Sequence, residues 1–422
     1  MKALKDITVL CCDNGLFVEH AMRLARDCKK VYYCTPGGLQ SAFPKMNDML
    51  IGKGIPEIEV VESVFGPHFD SVDLFFFPDV NYGALQVQLV KMGKTVWGSR
   101  LGEEMELSRE GMKELMRYYK LPVGRYELVK GLAALRVYLK ENKNRWVKVD
   151  VYRGTFETFF AKNYKSVEPL LDEIEHNLGA FKYVIEFIVE DDLPDKVELG
   201  TDRYTIDGKL TKKGLAGIEV KDRAYVMIFT EFDKIPEPVT RFERVLAPVF
   251  EEYGYRGFFS TEVRIGKDHV PYMIDACMRC GSPPGELFQE MYTNYSDIIW
   301  KGANGILVEP EPVAKYGAEV LINSQWADKN WQEISFPKEF RRNIKFRNAM
   351  IINGAHYVIP QSVGLPEVGA VVAWGNTMED AIERCKEIAS TVEGYDVEIP
   401  VEAFDKANEE IEKSAKWGLS YF

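Results

Sequence analysis

Short apolar runs and helix-spaced apolar positions alternate along the first hundred residues. Residues 7–12 and 31–34 are apolar runs, and 73–77 and 95–97 repeat the pattern, each closed by Pro or Gly. Between the first two, residues 17–28 carry apolar side chains three and four apart. Strands alternating with helices predict a parallel sheet with crossover helices. Such sheets bind ligands beyond the carboxyl ends of their strands. Those ends are Asp13-Asn14-Gly15, Thr35-Pro36-Gly37-Gly38 and Asp79-Val80-Asn81-Tyr82-Gly83. A dinucleotide site needs three glycines at fixed spacing between first strand and helix. Only Gly15 stands there, so hydride transfer loses its main support.

From Ser108 the pattern changes. Ser108 is placed to cap a helix that runs through Tyr119 and stops before Leu121-Pro122. Helical spacing over 132–141 precedes a strand at 145–151. A helix at 166–178, with Pro169 in its first turn, leads to a strand at 183–189. More strand-like segments reach about Phe232, and a helix follows near 241–253. Residues 257–265 and 270–276 read as a hairpin around Gly266-Lys267-Asp268-His269. After a Gly/Asn break at 302–305 and Glu309-Pro310-Glu311-Pro312, strands at 318–322, 349–352 and 369–374 and helices at 377–393 and 401–417 form a small α/β segment.

A chain of 422 residues, 46% hydrophobic and 28% charged, is too long for one core and is expected to divide into two or three domains. Its net charge of -12 is spread along the chain, which disfavours tight, unspecific nucleic-acid binding. No apolar run reaches the length of a membrane span, and the start reads as a strand rather than a signal peptide. Seven cysteines, two of them adjacent in a strand, do not form a disulfide framework, so a reducing, cytoplasmic setting is expected.

The hairpin carries the chemistry. With a four-residue loop, Ile265 faces Val270 and Glu262 faces Met273. Alternation then puts Glu262, Arg264, Asp275, Cys277 and Arg279 on one face. Carboxylates offset by one position suit Mg²⁺ bridged to nucleotide phosphates, with Mn²⁺ as an alternative ion. The two arginines supply planar donors for phosphate or carboxylate oxygens. The competing reading is a pair of surface salt bridges. Lys148, inside Trp146-Val147-Lys148-Val149-Asp150, needs a partner because desolvating an ammonium is costly. That partner is a nucleotide phosphate or, in a plain ion pair, Glu157 or Asp150. Glu186, within the apolar run Tyr183-Val184-Ile185-Glu186-Phe187-Ile188-Val189, is either a buried acceptor for an adenine amino group or a glutamate facing water.

The order of these pieces resembles the ATP-grasp superfamily, and within it the glycinamide ribonucleotide synthetase (phosphoribosylamine–glycine ligase) family. Val96-Trp97-Gly98-Ser99 followed by Leu107-Ser108-Arg109 looks like that family's passage from first domain to nucleotide clamp. Trp146–Asp150 is similar to its lysine-bearing strand, and Val184-Ile185-Glu186 to its adenine-reading hinge. Met273-Ile274-Asp275-Ala276-Cys277-Met278-Arg279-Cys280-Gly281-Ser282-Pro283 is similar to its metal-binding strand, and Val371–Ala381 to the opening of its final domain. Ser260–Arg264 with Gly281–Glu286 looks more like a divergent subgroup met in bacteriophage genomes than the housekeeping purine enzyme.

The resemblance implies an α/β and α+β chain in three parts. These are a Rossmann-like, parallel-sheet pre-ATP-grasp domain over 1–100, the ATP-grasp region over 101–310 and a small C-terminal α/β domain over 311–422. It implies an ADP-forming ligase that joins a small-molecule carboxylate to an amine through an acyl phosphate, using ATP and Mg²⁺, as monomer or homodimer. By position, Arg109 and Lys148 would hold the α- and β-phosphates, with Arg153 adding charge in the loop after Lys148. Glu186 and the hinge through Val189 would meet adenine, and Glu190 or Asp192 the ribose. Glu262 and Asp275 would bind metal, Arg279 would stabilise the transferring phosphoryl group and the acyl phosphate, and Arg264, also catalytic, is a basic candidate with Lys212-Lys213-Gly214 for a second substrate's phosphate. Four features depart from the family, one being Asp275 where it has glutamate. Arg109 stands for its lysine, the loop Tyr152–Thr158 has one glycine instead of several, and Cys277 replaces an asparagine. They leave two rivals to a ligase: a catalytically silent ATP-binding module and an ATP-grasp kinase.

Overall fold

The computed structural model describes residues 1–36, 47–150, 158–193, 195–362, 364 and 366–422. The first sheet is parallel. β1 (Thr8–Cys12), β2 (Lys30–Cys34), β3 (Glu59–Val60), β4 (Leu74–Phe76) and β5 (Val96–Trp97) lie in the order β3-β2-β1-β4-β5. Apart from Lys30 at the start of β2, buried positions run continuously along β1, β2 and β4, as covering on both faces requires. Two helices, α1 (Val18–Ala25) and α2 (Gly83–Lys91), start just beyond the carboxyl ends of β1 and β4. The short helix α3 (Glu104–Leu107) leads into α4 (Arg109–Tyr118), which Ser108 caps by accepting the Gly111 amide at 3.1 Å.

A second, antiparallel sheet follows. β6 (Tyr126–Lys130), β7 (Arg145–Val149), β8 (Thr158–Ala161) and β9 (Glu186–Asp191) are ordered β6-β9-β7-β8. Its core, formed with α5 (Leu132–Glu141) and α6 (Tyr164–Leu178), is separate and includes Leu135, Val147, Leu171 and Phe187. Two expectations need correction here. The helix α6 opens at Tyr164, where Asn163 and Ser166 cap each other, so Pro169 lies in its second turn. Residues 179–183 form a 3₁₀ turn, and the strand expected at 183 starts at Glu186.

Among the described residues the largest sheet has nine strands. It comprises β10 (Val197–Ile206), β11 (Lys209–Leu210), β12 (Lys213–Val220), β13 (Ala224–Glu231), β14 (Arg256–Ile265), β15 (Pro271–Cys277), β16 (Tyr316–Asn323), and two later strands. Among the remaining elements, β17 (Gln332–Ile334), β19 (Ala349–Ile352) and β20 (Ala355–Val358) make a small sheet of their own. The strands β18 (Ile344–Phe346) and β21 (Glu367–Gly375) join the large one. The segment from 311 onward therefore completes a sheet begun in the middle of the chain. Helices α7 (Glu237–Glu252), α8 (Gly285–Met291), α9 (Tyr295–Ala303), α10 (Met378–Ala389) and α11 (Ala403–Lys416) pack around it.

The hairpin register differs from the expected one. Ile265 pairs with Pro271, and a bulge between Glu262 and Val263 brings Glu262 directly opposite Asp275. The extra residue on β15 is Ile274, and such a bulge re-aims side chains locally. Instead of being offset, the two carboxylates face each other.

Candidate functional site

Alternation along the strands decides what the large sheet presents. On β10, Glu198, Gly200 and Asp202 share a face, and register places Arg264, Glu262 and Ser260 beside them on β14. Gly217 and Glu219 on β12, Tyr225 on β13 and Asp275 and Cys277 on β15 continue that face. All of them line one cavity of about 500 Å³, roofed by the four-stranded sheet through Trp146, Lys148, Thr158, Glu190 and Asp191. Glycine is required at Gly217, where a Cβ would stand 2.2 Å from the Tyr225 hydroxyl. The Tyr225 hydroxyl in turn donates to Asp202, which also accepts from Ser260 at 2.5 Å.

Charge is concentrated between the two sheets. Lys148, only 3% exposed, donates to the Ile274 carbonyl at 2.9 Å and lies 3.4 Å from Asp275 and 3.5 Å from Glu190. Its partners are therefore Asp275 and Glu190, not the Asp150 considered from sequence. Glu157 lies outside the described residues, as does Arg153. Arg109 donates to the Val149 carbonyl at 2.6 Å and comes within 3.9 Å of Asp275. Burial pushes the Asp275 carboxyl up, but Lys148, Arg109 and Lys221 outweigh it and hold it below the usual carboxylate range. Glu190 is likewise held low against burial by Lys148 and by Lys113, with which it forms an ion pair.

The other carboxylates are compensated only in part, by Lys221. Glu262 is pushed well above the ordinary range, first by burial and then by Glu219 and Glu198. Burial raises Glu219 as well, and its carboxylate is within hydrogen-bond reach of Glu262. Carboxylates gathered this way need either protons or a cation. Glu262, Asp275 and Glu219 offer hard oxygen donors, the set that Mg²⁺ prefers, so the residues present fit that ion. The thiol of Cys277, on the cavity wall, is raised by burial and is a poor Mg²⁺ ligand.

The two arginines assigned to catalysis both reach the cavity wall but are already paired. Arg264 binds Glu198 at 2.9 Å. Arg279 binds Glu106 at 3.0 Å and Asp79 at 3.3 Å.

Three expected nucleotide contacts fall elsewhere. The Glu186 side chain is about half exposed and lies 3.4 Å from Lys130, so the buried-acceptor reading is corrected. Its carboxylate gathers with those of Glu110 and Asp150 instead. The Val189 side chain is buried in the core of the small sheet, where β9 alternation sends it. Asp192 accepts the Trp146 indole at 3.0 Å and stands off the cavity wall. Sequence reasoning missed Glu219 and Lys221, although Gly217-Ile218-Glu219-Val220-Lys221 alternates as a strand with one charged face. It also missed the apolar wall of Met105, Met112, Met116 and Leu193, the first three of which lie on α3 and α4.

Two antiparallel sheets closing on a charged cavity, beside a parallel sheet, define the ATP-grasp fold. Solved structures carry the same architecture. The chain is similar to phosphoribosylamine–glycine ligase from Thermotoga maritima (TM-score 0.69, 16% identity, covering 93% of this chain and 99% of that one). It is also similar to the biotin carboxylase domain of 2-oxoglutarate carboxylase from Hydrogenobacter thermophilus, solved with MgADP, ADP and bicarbonate. There the TM-score is 0.66 at 13% identity, covering both chains fully. A third is an ADP complex of N5-carboxyaminoimidazole ribonucleotide synthetase (TM-score 0.59, 15% identity, covering 97% and 100%). No protein-family model and no curated protein sequence matches the chain. Among the described residues, no helix is long and apolar enough to cross a membrane.

Proposed function

We propose that the protein is an ATP-dependent carboxylate–amine ligase that forms ADP and works through an acyl phosphate. The observation that carries this reading is the placement of Glu262 directly opposite Asp275, with Lys148 bound to Asp275 from the facing sheet. Lys148 and Arg109 hold the α- and β-phosphates. Glu190, between Lys113 and Lys148, faces the ribose. The methionine wall and Trp146 receive adenine through dispersion contacts.

Glu262 and Asp275, joined by Glu219, hold Mg²⁺. When bound, that ion neutralises the charge spread over the phosphate oxygens. Phosphoryl transfer needs positioning and charge more than a protein nucleophile. Lys221, exposed just beyond the end of β12 and near Glu219, Glu262 and Asp275, covers the γ-phosphate side. Arg279 stabilises the acyl phosphate by exchanging part of its pairing with Glu106 for substrate oxygens. Arg264, fixed by Glu198, orients the carboxylate. The amine then displaces phosphate through a tetrahedral intermediate.

The test is ADP release with Mg·ATP across a panel of amino acids and amines. ADP that appears only when acid and amine are both present supports the ligase. One observation favours a silent module, namely the engagement of Arg279 by two carboxylates. Mg²⁺-dependent ATP binding without turnover on the whole panel would establish it. A stable phosphorylated acid would point to a kinase.

A further inference from the structure

Beyond Arg279 the cavity wall is made by Gly281, Ser282, Pro283 and Pro284, on the way from β15 to α8. This stretch is poor in hydrogen-bond donors. Pro283 and Pro284 carry no N–H, and Ser282 commits its hydroxyl proton elsewhere. That proton goes to Glu286 Oε1 at 2.6 Å, while the same oxygen accepts Arg347 Nη2 at 2.8 Å. A hydroxyl has one proton and two lone pairs. One lone pair is left, so Ser282 can only accept from a ligand in the cavity. Glu286 adds to this bias. Arg347 Nε donates to its Oε1 as well, at 3.1 Å, and the buried Oε2 has no hydrogen-bond partner.

Arg347 holds the arrangement in place. It follows β18, and its own amide donates to the Val368 carbonyl at 2.9 Å. The next amide, of Asn348, donates to the Gly15 carbonyl at 2.8 Å. The guanidinium is therefore carried by backbone anchored on two sides, and its side chain is 11% exposed. With its donors aimed at Ser282 and Glu286, it keeps the serine proton on the Glu286 side.

An amine that attacks an acyl phosphate points its lone pair at the carbonyl carbon, so its N–H bonds face away and need acceptors. Those N–H groups grow more acidic as the new bond forms, and an acceptor then binds the transition state more tightly than the ground state. We propose that Ser282 accepts an N–H of the incoming amine, and that Arg347 is the positioning residue that keeps Ser282 an acceptor. The subsite takes primary or secondary amines and refuses a quaternary ammonium. This rests on the ligase reading, which assigns the acyl phosphate to Arg279 on the same wall.

Two measurements on the full chain decide the matter. In the first, protein saturated with Mg·ADP is titrated with ethanolamine and with choline, followed by ligand-observed NMR. The two probes share a positive charge and a hydroxyl but only ethanolamine has N–H donors. The wild type should prefer ethanolamine by about fivefold, the worth of one hydrogen bond. Ser282→Ala should lose that preference, Arg347→Gln should lose it too, and Arg347→Lys should restore part of it, with Mg·ADP affinity unchanged in all three. No preference in the wild type, or an undiminished one in Ser282→Ala, would overturn the proposal. A folded Arg347→Gln that keeps the preference and shows only a lower unfolding midpoint would make Arg347 structural and overturn its positioning role. The second measurement is ADP release, in which Ser282→Ala should lower kcat/KM for the amine and leave the KM for ATP as it is. An unchanged kcat/KM for the amine overturns the proposal while leaving the ligase intact. Should no acid and amine pair release ADP, the ligase reading fails, and the titration, which needs no turnover, still decides the subsite.

Discussion

Replacing Lys148 by Met removes one charge while keeping most of the buried stem, so it avoids the cavity that alanine would leave. In the free protein Lys148 neutralises Asp275 at 3.4 Å and Glu190 at 3.5 Å. Glu190 keeps Lys113, and Asp275 keeps the more distant Arg109 at 3.9 Å. The fold therefore survives with a modest loss, on the order of 1–3 kcal/mol for a weakened buried charge network. Nucleotide binding loses a charge-assisted hydrogen bond, about 1.5–3 kcal/mol, or about 10- to 140-fold at 1.4 kcal/mol per tenfold. The two carboxylates left facing the triphosphate push the effect toward the upper end, so about 100-fold weaker ADP binding is expected. Titration calorimetry with Mg·ADP, with circular dichroism to verify folding, measures it. A folded variant within about threefold of wild-type affinity would refute the assignment of Lys148 to the phosphates.

Asp275→Asn should abolish turnover and leave the fold intact, read as ADP release beside the unfolding midpoint; unchanged activity removes the hairpin from the mechanism. Glu219→Gln should raise the Mg²⁺ concentration for half-maximal activity at least fivefold, and an unchanged Mg²⁺ profile would return Glu219 to a structural role. Gly217→Ala drives a methyl against the Tyr225 hydroxyl. It should cost about 1–3 kcal/mol by overpacking, seen as a lowered unfolding midpoint, together with weaker nucleotide binding. Burial lifts the Asp13 pKa from 3.8 to about 7. The folded state thus holds a proton that the unfolded chain has released, and this contribution to stability is full below about pH 4 and lost as pH rises through about 7. The unfolding midpoint of the wild type should fall over that range, and Asp13→Asn should flatten the slope; an identical slope in the variant would rule Asp13 out as its source.

The sequence shows the parallel sheet clearly because β1, β2 and β4 are buried on both faces and read as apolar runs. Helix α4 is equally legible, since Ser108 caps it with its own side chain. The register of the central hairpin is not legible. A bulge at Ile274 depends on how β15 packs against β14, and no residue type announces it. Lys148 stands out because a buried ammonium demands a partner, but that partner comes from a strand more than a hundred residues away. Glu186 misleads for the same reason: an apolar run shows that β9 is an inner strand, while the side the first residue faces is set by pairing with β6 and β7. The closing of the large sheet by β16, β21 and β18 is another long-range pairing that local pattern does not contain.

A cation held between Glu262 and Asp275 requires that ATP affinity depend on Mg²⁺ and that the dependence vanish with the carboxylate. Titrating a non-hydrolysable ATP analogue with and without Mg²⁺, in wild type and Asp275→Asn, tests this directly. The expected result is at least tenfold tighter binding with Mg²⁺ in the wild type and none of that gain in the variant. Equal affinity with and without the ion in the wild type, or an undiminished gain in Asp275→Asn, would contradict it.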